Sequence, residues 1–316
     1  MDPNLEYWHT NGQSFLSRLH IWLNVLDPSS ILSSDVEIEN ARSLVRREGN
    51  QLKNEEVPKA WRLSLSSVHA DTGEPISAAF RSQAFLPVSA PLVIASFVPH
   101  KGVTPALFWQ FMLQSYCAGF NQANRNVSAT PENKLSLKQA LLITGTVAYA
   151  TFAGALPQII IQRSGVRSIS AQVFCRSVLP VPLSACLAAF SVFVVRSEES
   201  ENGIKVFDAN GNAVGVSKEA GFKAVKETAI SRAALFGTTA VVPNLLVLLL
   251  RRAKFAQRNL MLLAPIRHIS TALVLGLMIP VSFSLFPQLG TIKKEHVEKE
   301  LRSVTQDEEL FYHRGL

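Results

Sequence analysis

The chain is poor in the residues that build disulfide scaffolds and metal centres. Its three cysteines, Cys117, Cys175 and Cys186, lie far apart, in or beside apolar stretches, and no Cys-x-x-Cys occurs. This spacing argues against a disulfide framework or a zinc or iron–sulfur ligand set and leaves buried, inert thiols. The seven histidines are scattered, with no His-x-x-x-His, so no metal site and no bound cofactor are expected. Gly203, Gly211 and Gly215 match neither G-x-G-x-x-G nor a P-loop. No nucleophile stands in a motif that places a base beside it, which argues against an enzyme. The first twenty residues carry Asp2 and Glu6, and Arg18 is their one Arg or Lys. That is neither a secretory leader nor a transit peptide, so targeting is expected to be internal.

Charge is the most telling absence. Residues 102–124, 139–162, 177–195, 233–250 and 269–292 contain no Asp, Glu, Lys or Arg. Helices of ~18 to ~24 residues reach roughly 27 to 36 Å, which matches the hydrocarbon core of a bilayer. The expectation is an all-α polytopic membrane protein with about five transmembrane helices, and its first partner is the lipid bilayer. The net charge of +7 does not indicate nucleic acid. Arg251, Arg252, Lys254, Arg258 and Arg267 fill one loop that has no acid, as suits anionic headgroups or topology control.

Three regions follow from this pattern: a polar helical segment, 1–81; a membrane domain, 82–292; and a tail, 293–316. In the first, residues 13–26 read as an amphipathic helix with Phe15, Leu19, Trp22 and Leu26 on one face and Arg18 off it. Such a helix either packs on its own domain or lies in the membrane interface, where Trp is at home. A second helix starts at the capping pair Ser34-Asp35 and runs to about Gly49, and a third starts near Pro58. Residues His69, Ala70, Asp71, Thr72, Gly73 and Glu74 then form a polar turn. It reads as a structural or recognition element, since adjacent placement is poor ligand geometry.

Residues 84–99 are apolar but carry Pro87, Pro91 and Pro99. They read as a re-entrant or interfacial segment, or else as a sixth crossing. The first firm span ends in Asn121, Gln122 and Asn124. These amides either sit at headgroup level or line a path for a small polar solute. Pro157 before Gln158, Pro243 before Asn244 and Pro287 before Gln288 place amides beside carbonyls freed by proline, which suits kink repair or a substrate site alike. The loop 196–232 holds a hairpin: Ile204 and Val206 approach Asn210-Gly211, and Ala213 and Val214 leave it. Residues 217–232 then form an amphipathic helix. The tail opens with a charged helix and ends in Phe311, Tyr312 and His313, aromatics that dock either on their own protein or on a partner.

These landmarks, in this order, resemble the sideroflexin family nearly end to end. The turn at 69–74 is similar to the family's His-Pro-Asp-Thr-Gly-Glu, with Ala70 in place of proline. Leu26-Asp27-Pro28 resembles an early Asp-Pro element, and Phe120-Asn121 through Asn124-Arg125-Asn126 resembles an asparagine-rich signature. Gly203-Ile204 to Gly215, with Ser217, Ala224-Val225, Thr228 and Ser231-Arg232, is similar to the family's most recognisable loop. Ile38 to Arg42, Ala60-Trp61-Arg62, Phe283 to Gln288 and Phe311 to Gly315 resemble a divergent vertebrate branch.

The resemblance implies a multi-pass protein of the mitochondrial inner membrane. Its better-known members are implied to carry serine and similar small amino acids. The divergent branch is implied to assist assembly of respiratory complex I, with other assembly factors or subunits as partners, and to bear on iron–sulfur and iron homeostasis. The altered asparagine signature and the lost proline weigh toward the assembly role and away from transport. A solute path, if present, would use Asn121, Gln122, Asn124, Pro157 and Gln158. Partner contacts would use Phe311, Tyr312 and His313.

Overall fold

The computed structural model describes residues 1–48, 56–127, 136–163, 168–250, 252 and 260–316. Arg251, Lys254 and Arg258 of the basic loop 251–268 therefore lie outside the described residues, as does Gly49 at the expected end of the second helix.

The front segment holds four helices: α1 (Pro3–Asn11), α2 (Phe15–Val25), α3 (Asp35–Glu48) and α4 (Glu56–Ser67). The first is absent from the sequence-based reading, although Asp2 before Pro3 is a start signal; the Asp2 carboxylate accepts from the Asn4 amide at 2.9 Å. A Ser14–Ser17 capping box starts α2, and Ser34 and Glu37 exchange side-chain-to-backbone bonds at the start of α3.

Of the one face foreseen for α2, Trp22 is buried, Leu19 and Leu26 are half-buried and Phe15 is exposed. Trp22 and Val25 are buried, while Leu16 and Leu23 stay exposed. Arg18 is a correction: it lies on the buried face, where Nε donates to the Ser284 carbonyl at 2.9 Å and Nη1 to the Gln13 carbonyl at 3.0 Å.

The membrane domain follows as α5 (Phe85–Phe97), α6 (Val103–Ala123), α7 (Leu137–Arg163), α8 (Ile169–Val173) and α9 (Pro180–Val195). A π-turn at Phe174–Val178 joins α8 to α9. Next come α10 (Ser197–Asn202), α11 (Lys218–Leu250) and α12 (Leu263–Ser284). Four described stretches are long and apolar enough to cross a membrane: α7, Ser170–Val195, α11 and α12. The chain is a multi-pass membrane protein. Of the five stretches expected, α6 falls outside this group. It is 21 residues long and charge-free but carries Gln110, Gln114, Asn121 and Gln122.

Two further expectations are corrected, and one, the helix leading into the fourth span, is borne out as a continuous element. The prolines do not break 85–97, which is one helix. Pro87 sits in its first turn, where no intrahelical N–H is needed, and Pro91 removes a single bond. The amphipathic helix 217–232 and the span 233–250 are a single 33-residue helix. The last span ends at Ser284 rather than at 292, and residues 289–293 become a strand.

The hairpin is half of a larger sheet. Its strands are β1 (Ile204–Phe207) and β2 (Ala213–Ser217); the tail adds β3 (Leu289–Lys293) and β4 (Glu309–His313) around a short helix, α13 (Lys299–Val304). All pairings are antiparallel, in the order β2-β1-β4-β3. The turn is wider than two residues, since Phe207 faces Ala213. Gly211 takes φ +81°, whereas Asn210 stays at negative φ and its amide donates to the Asp208 carboxylate at 3.0 Å. Ile204, Val206, Leu310 and Tyr312 pack with Ala220 and Ala224 on the first turns of α11.

One buried ion pair ties these parts together. Arg196 and Glu199 are both fully buried. The guanidinium donates through Nη2 to Glu199 at 2.8 Å, to the Arg314 carbonyl at 2.6 Å, and through Nη1 to Thr228 Oγ1 at 3.0 Å. The carboxylate also accepts from Asn126 Nδ2 at 2.8 Å and from the Asn126 amide at 3.2 Å.

Glu199→Ala leaves a buried guanidinium without its counter-charge and is expected to destabilise the protein by about 3–5 kcal/mol. Thermal unfolding in detergent measures it. The control is Glu201→Ala, which breaks the exposed Lys138–Glu201 pair and is expected to leave the melt unchanged.

Candidate functional site

A cavity of about 120 Å³ lies within the helices α5, α6, α7, α9, α11 and α12. One end is lined by Phe85, Asn121, Ser191 and Arg232, the other by His100, Gln158, Arg176, Asn244 and Arg267. Twelve helical residues separate Arg232 from Asn244, roughly 18 Å at 1.5 Å per residue. The cavity therefore runs along the spans. Its lining includes Arg176, Arg232 and Arg267 and no Asp or Glu.

The sequence favours such a space. Glycine at 154 admits the Gln110 side chain, whose Oε1 would lie 2.4 Å from a Cβ there. Gln158 donates to the His100 carbonyl at 2.7 Å and Arg267 to the Phe97 carbonyl at 2.6 Å. Both satisfy the chain leaving α5. Gln158 thus lines the cavity but is bonded to a loop rather than to the carbonyl that Pro157 frees. Asn244 donates to the Ala240 carbonyl at 2.8 Å and to the Ser177 carbonyl, within the π-turn, at 3.2 Å. Gln288 lies outside any span and accepts from Arg314 at 3.2 Å.

The five residues foreseen for a solute path divide. Asn121, Pro157 and Gln158 line the cavity; Gln122 and Asn124 do not. Asn124 is corrected to a structural role. Its Nδ2 donates to the Phe80 and Phe120 carbonyls, both at 2.9 Å, and its carbonyl accepts the Leu316 amide at 3.2 Å. The cavity residue absent from that set is Arg232. Its sequence signal was a lone cation directly before eighteen uncharged residues.

The polar turn closes a separate junction. His69 Nε2 meets the Arg125 carbonyl at 2.7 Å, and the Asp71 carboxylate accepts from the Val127 amide at 3.0 Å. Thr72 Oγ1 accepts from the Glu74 amide at 3.2 Å. Gly73 adopts φ +73° beneath the Arg42 guanidinium, which donates to its carbonyl. This turn therefore clasps the end of α6. Among the described residues no group of three or more His, Cys, Asp or Glu is placed to hold a metal ion.

The terminal aromatics dock on their own protein, which corrects the partner role foreseen for them. Phe311 meets His9 edge-on at 5.0 Å between ring centroids, and the fully buried Tyr312 donates to Glu227 at 3.0 Å. His313 Nδ1 lies 3.9 Å from Asp71, beyond hydrogen-bonding distance.

With this geometry in view, a model of the family "Sideroflexins" matches residues 2–316. The chain belongs to the sideroflexin family. This sideroflexin is 65% identical over 317 residues to Sideroflexin-4 of Danio rerio, covering all of both chains. It is 37% identical to Sideroflexin-4 of Homo sapiens, over all of this chain and 93% of that protein. Sideroflexin-5 of Rattus norvegicus is 29% identical over 96% of this chain and 89% of its own length. No solved structure matches this sideroflexin.

Two outcomes follow from the geometry. Asn124→Ala frees the Phe80 and Phe120 carbonyls and is expected to lower stability by about 1–3 kcal/mol, read by thermal unfolding, and to speed proteolysis of the C-terminal residues. The second outcome concerns His313. Burial, then the neighbouring His69, Arg196 and Arg314, push its imidazole down to about 3 from 6.5. Below pH ~6.5 the unfolded chain binds a proton that the folded chain refuses. Stability from this group therefore falls as pH drops from ~6.5 toward ~3, by up to about 1.4 kcal/mol per pH unit. Asp71, whose carboxyl is pushed up chiefly by burial, contributes with the opposite sign. The test is thus a difference: melting temperatures at pH 7 and pH 5 should separate less in His313→Gln than in the wild type.

Proposed function

We propose that this protein is a sideroflexin of the mitochondrial inner membrane that acts as an assembly and scaffold factor for respiratory complex I, with a consequent bearing on iron–sulfur and iron homeostasis. The observation that carries this reading is the full-length likeness to proteins named Sideroflexin-4. Two structural features agree with it. Two amides of the asparagine-rich signature donate to the protein's own oxygens: Asn124 Nδ2 to the Phe80 and Phe120 carbonyls, and Asn126 Nδ2 to Glu199 and the His313 carbonyl. The polar body also presents Leu32 and Val36, 88% and 70% exposed, apolar side chains outside every span. The partners would be complex I subunits or assembly factors, held by the polar body while lipid-facing helices meet membrane-embedded subunits.

Removing the protein from cells and resolving respiratory complexes on native gels tests this. Complex I is expected to be depleted and its membrane-arm intermediates to accumulate; complex I at normal levels would reject the role. Capture from mild-detergent mitochondrial extracts should bring assembly factors down with the protein.

A second reading, a carrier for serine or another small neutral amino acid, is favoured by one observation: the cavity along the spans. Purified protein in liposomes should then take up labelled serine. Flat uptake rejects it without touching the assembly role.

A further inference from the structure

Five arginines besides Arg232 are buried among the described residues: Arg18, Arg42, Arg81, Arg196 and Arg314. Each has oxygen partners supplied by the protein. Arg18 takes the Ser284 carbonyl, Arg42 takes Asp2, Arg81 takes the Ile76 and Ile31 carbonyls, Arg196 takes Glu199, and Arg314 takes the Phe283 carbonyl. Arg232 differs. It is 3% exposed and its Nη2 is buried with no hydrogen-bond partner. Among the described residues no carboxylate forms an ion pair with it. Its guanidinium carbon instead lies 4.5 Å from the ring centre of Phe283, 5.3 Å from that of Phe85 and 5.4 Å from that of Phe120.

Three rings hold a guanidinium in place and partly offset its charge. They offer no oxygen to its N–H donors. A buried cation left this way is strongly unfavourable unless something supplies the missing acceptor. Arg232 faces a cavity whose lining holds no acid but includes Arg176 and Arg267 at the far end. Among the described residues neither a carboxylate nor a carbonyl meets this guanidinium, which leaves the cavity as the place from which an acceptor can reach it. A planar, two-oxygen anion matches the guanidinium fork. The free space, about 120 Å³, is close to the roughly 150 Å³ that accommodates a benzene-sized ligand.

We propose that this cavity binds a small organic carboxylate, its carboxylate seated on Arg232 between Phe85, Phe120 and Phe283, with Asn121 and Ser191 on the adjoining wall. The site extends the carrier reading by naming the group recognised, yet it requires binding only, and an assembly factor could retain it as a ligand-sensing or stabilising site.

The test compares three probes of similar size on the purified full-length protein in detergent: L-serine, glycerate and L-serinamide. The first two carry a carboxylate and the third does not. Serine, glycerate or both should raise the melting temperature and bind saturably by isothermal titration, while serinamide should do neither. Serine alone would mean that an ammonium group is required beside the carboxylate, and glycerate alone that it is excluded. Arg232→Gln should weaken binding about 30-fold or more. Because that variant could fold poorly, a second arm is Ala188→Leu, a substitution at a small residue of α9 that also lines the cavity. It narrows the cavity with Arg232 in place and should weaken binding while leaving the unliganded melting temperature near that of the wild type.

No binding of serine or glycerate to the wild type overturns the proposal. So does equal binding of serinamide, or carboxylate binding undiminished in a folded Arg232→Gln. Binding without liposome uptake keeps the site and rejects the carrier reading. Uptake independent of Arg232 keeps the carrier reading and rejects the site.

Discussion

A charge removed from water must find its counter-charge inside the protein, and the Arg196–Glu199 pair is where this constraint organises the structure. Both side chains are fully buried. In such surroundings each remaining donor and acceptor also needs a partner. The partners come from distant parts of the chain: Asn126 after α6, Thr228 on α11, and the Arg314 carbonyl beyond β4. One ion pair therefore draws together a membrane helix, the long helix that carries the sheet, and the chain's last residues. The end of α12 repeats the device. Its final carbonyls receive Arg18, Ser231 and Arg314, which relieves the unpaired groups that every helix terminus leaves.

Against that background the cavity is, among the described residues, where a buried guanidinium meets aromatic faces rather than oxygens. The same physics that makes the Arg196 junction a structural clamp makes the Arg232 cavity a candidate for a ligand, since an unmet buried charge attracts whatever anion can reach it. The two lie close along the chain, because Thr228 and Arg232 are one turn apart on α11. The clamp anchors the helix that presents the open charge.

Legibility followed the range of the interactions. Uncharged length announced α7, α9, α11 and α12, because lipid tolerates few charges in a helix that crosses it. Local chemistry announced the start of α3, a helix beginning near Pro58 and a hairpin at Asn210-Gly211, though not the hairpin's wider turn. Where the reading failed, a distant partner had overridden a local sign. Residues 285–292 look like the end of a span, yet the helix stops at Ser284 and residues 289–293 form β3 because β4 offers a ladder to pair with. Arg18 looks like a solvent-facing residue, yet Ser284, far along the chain, needs its donor. Asn121 and Asn124 look equivalent. The helical turn sends one toward the cavity and lets the other cap carbonyls of α6 and the loop before α5.

The amino-acid sequence by itself determined the class of solvent around this protein, the family to which it belongs and the existence of most helices, since composition, short motifs and charge-free length are properties of contiguous residues. Only the tertiary structure decided that the tail completes a sheet, that Phe311 and Tyr312 face inward, and that Arg232 is left without an acceptor. Those outcomes depend on which groups from remote segments arrive within about 3 Å of one another, a distance that no local pattern encodes.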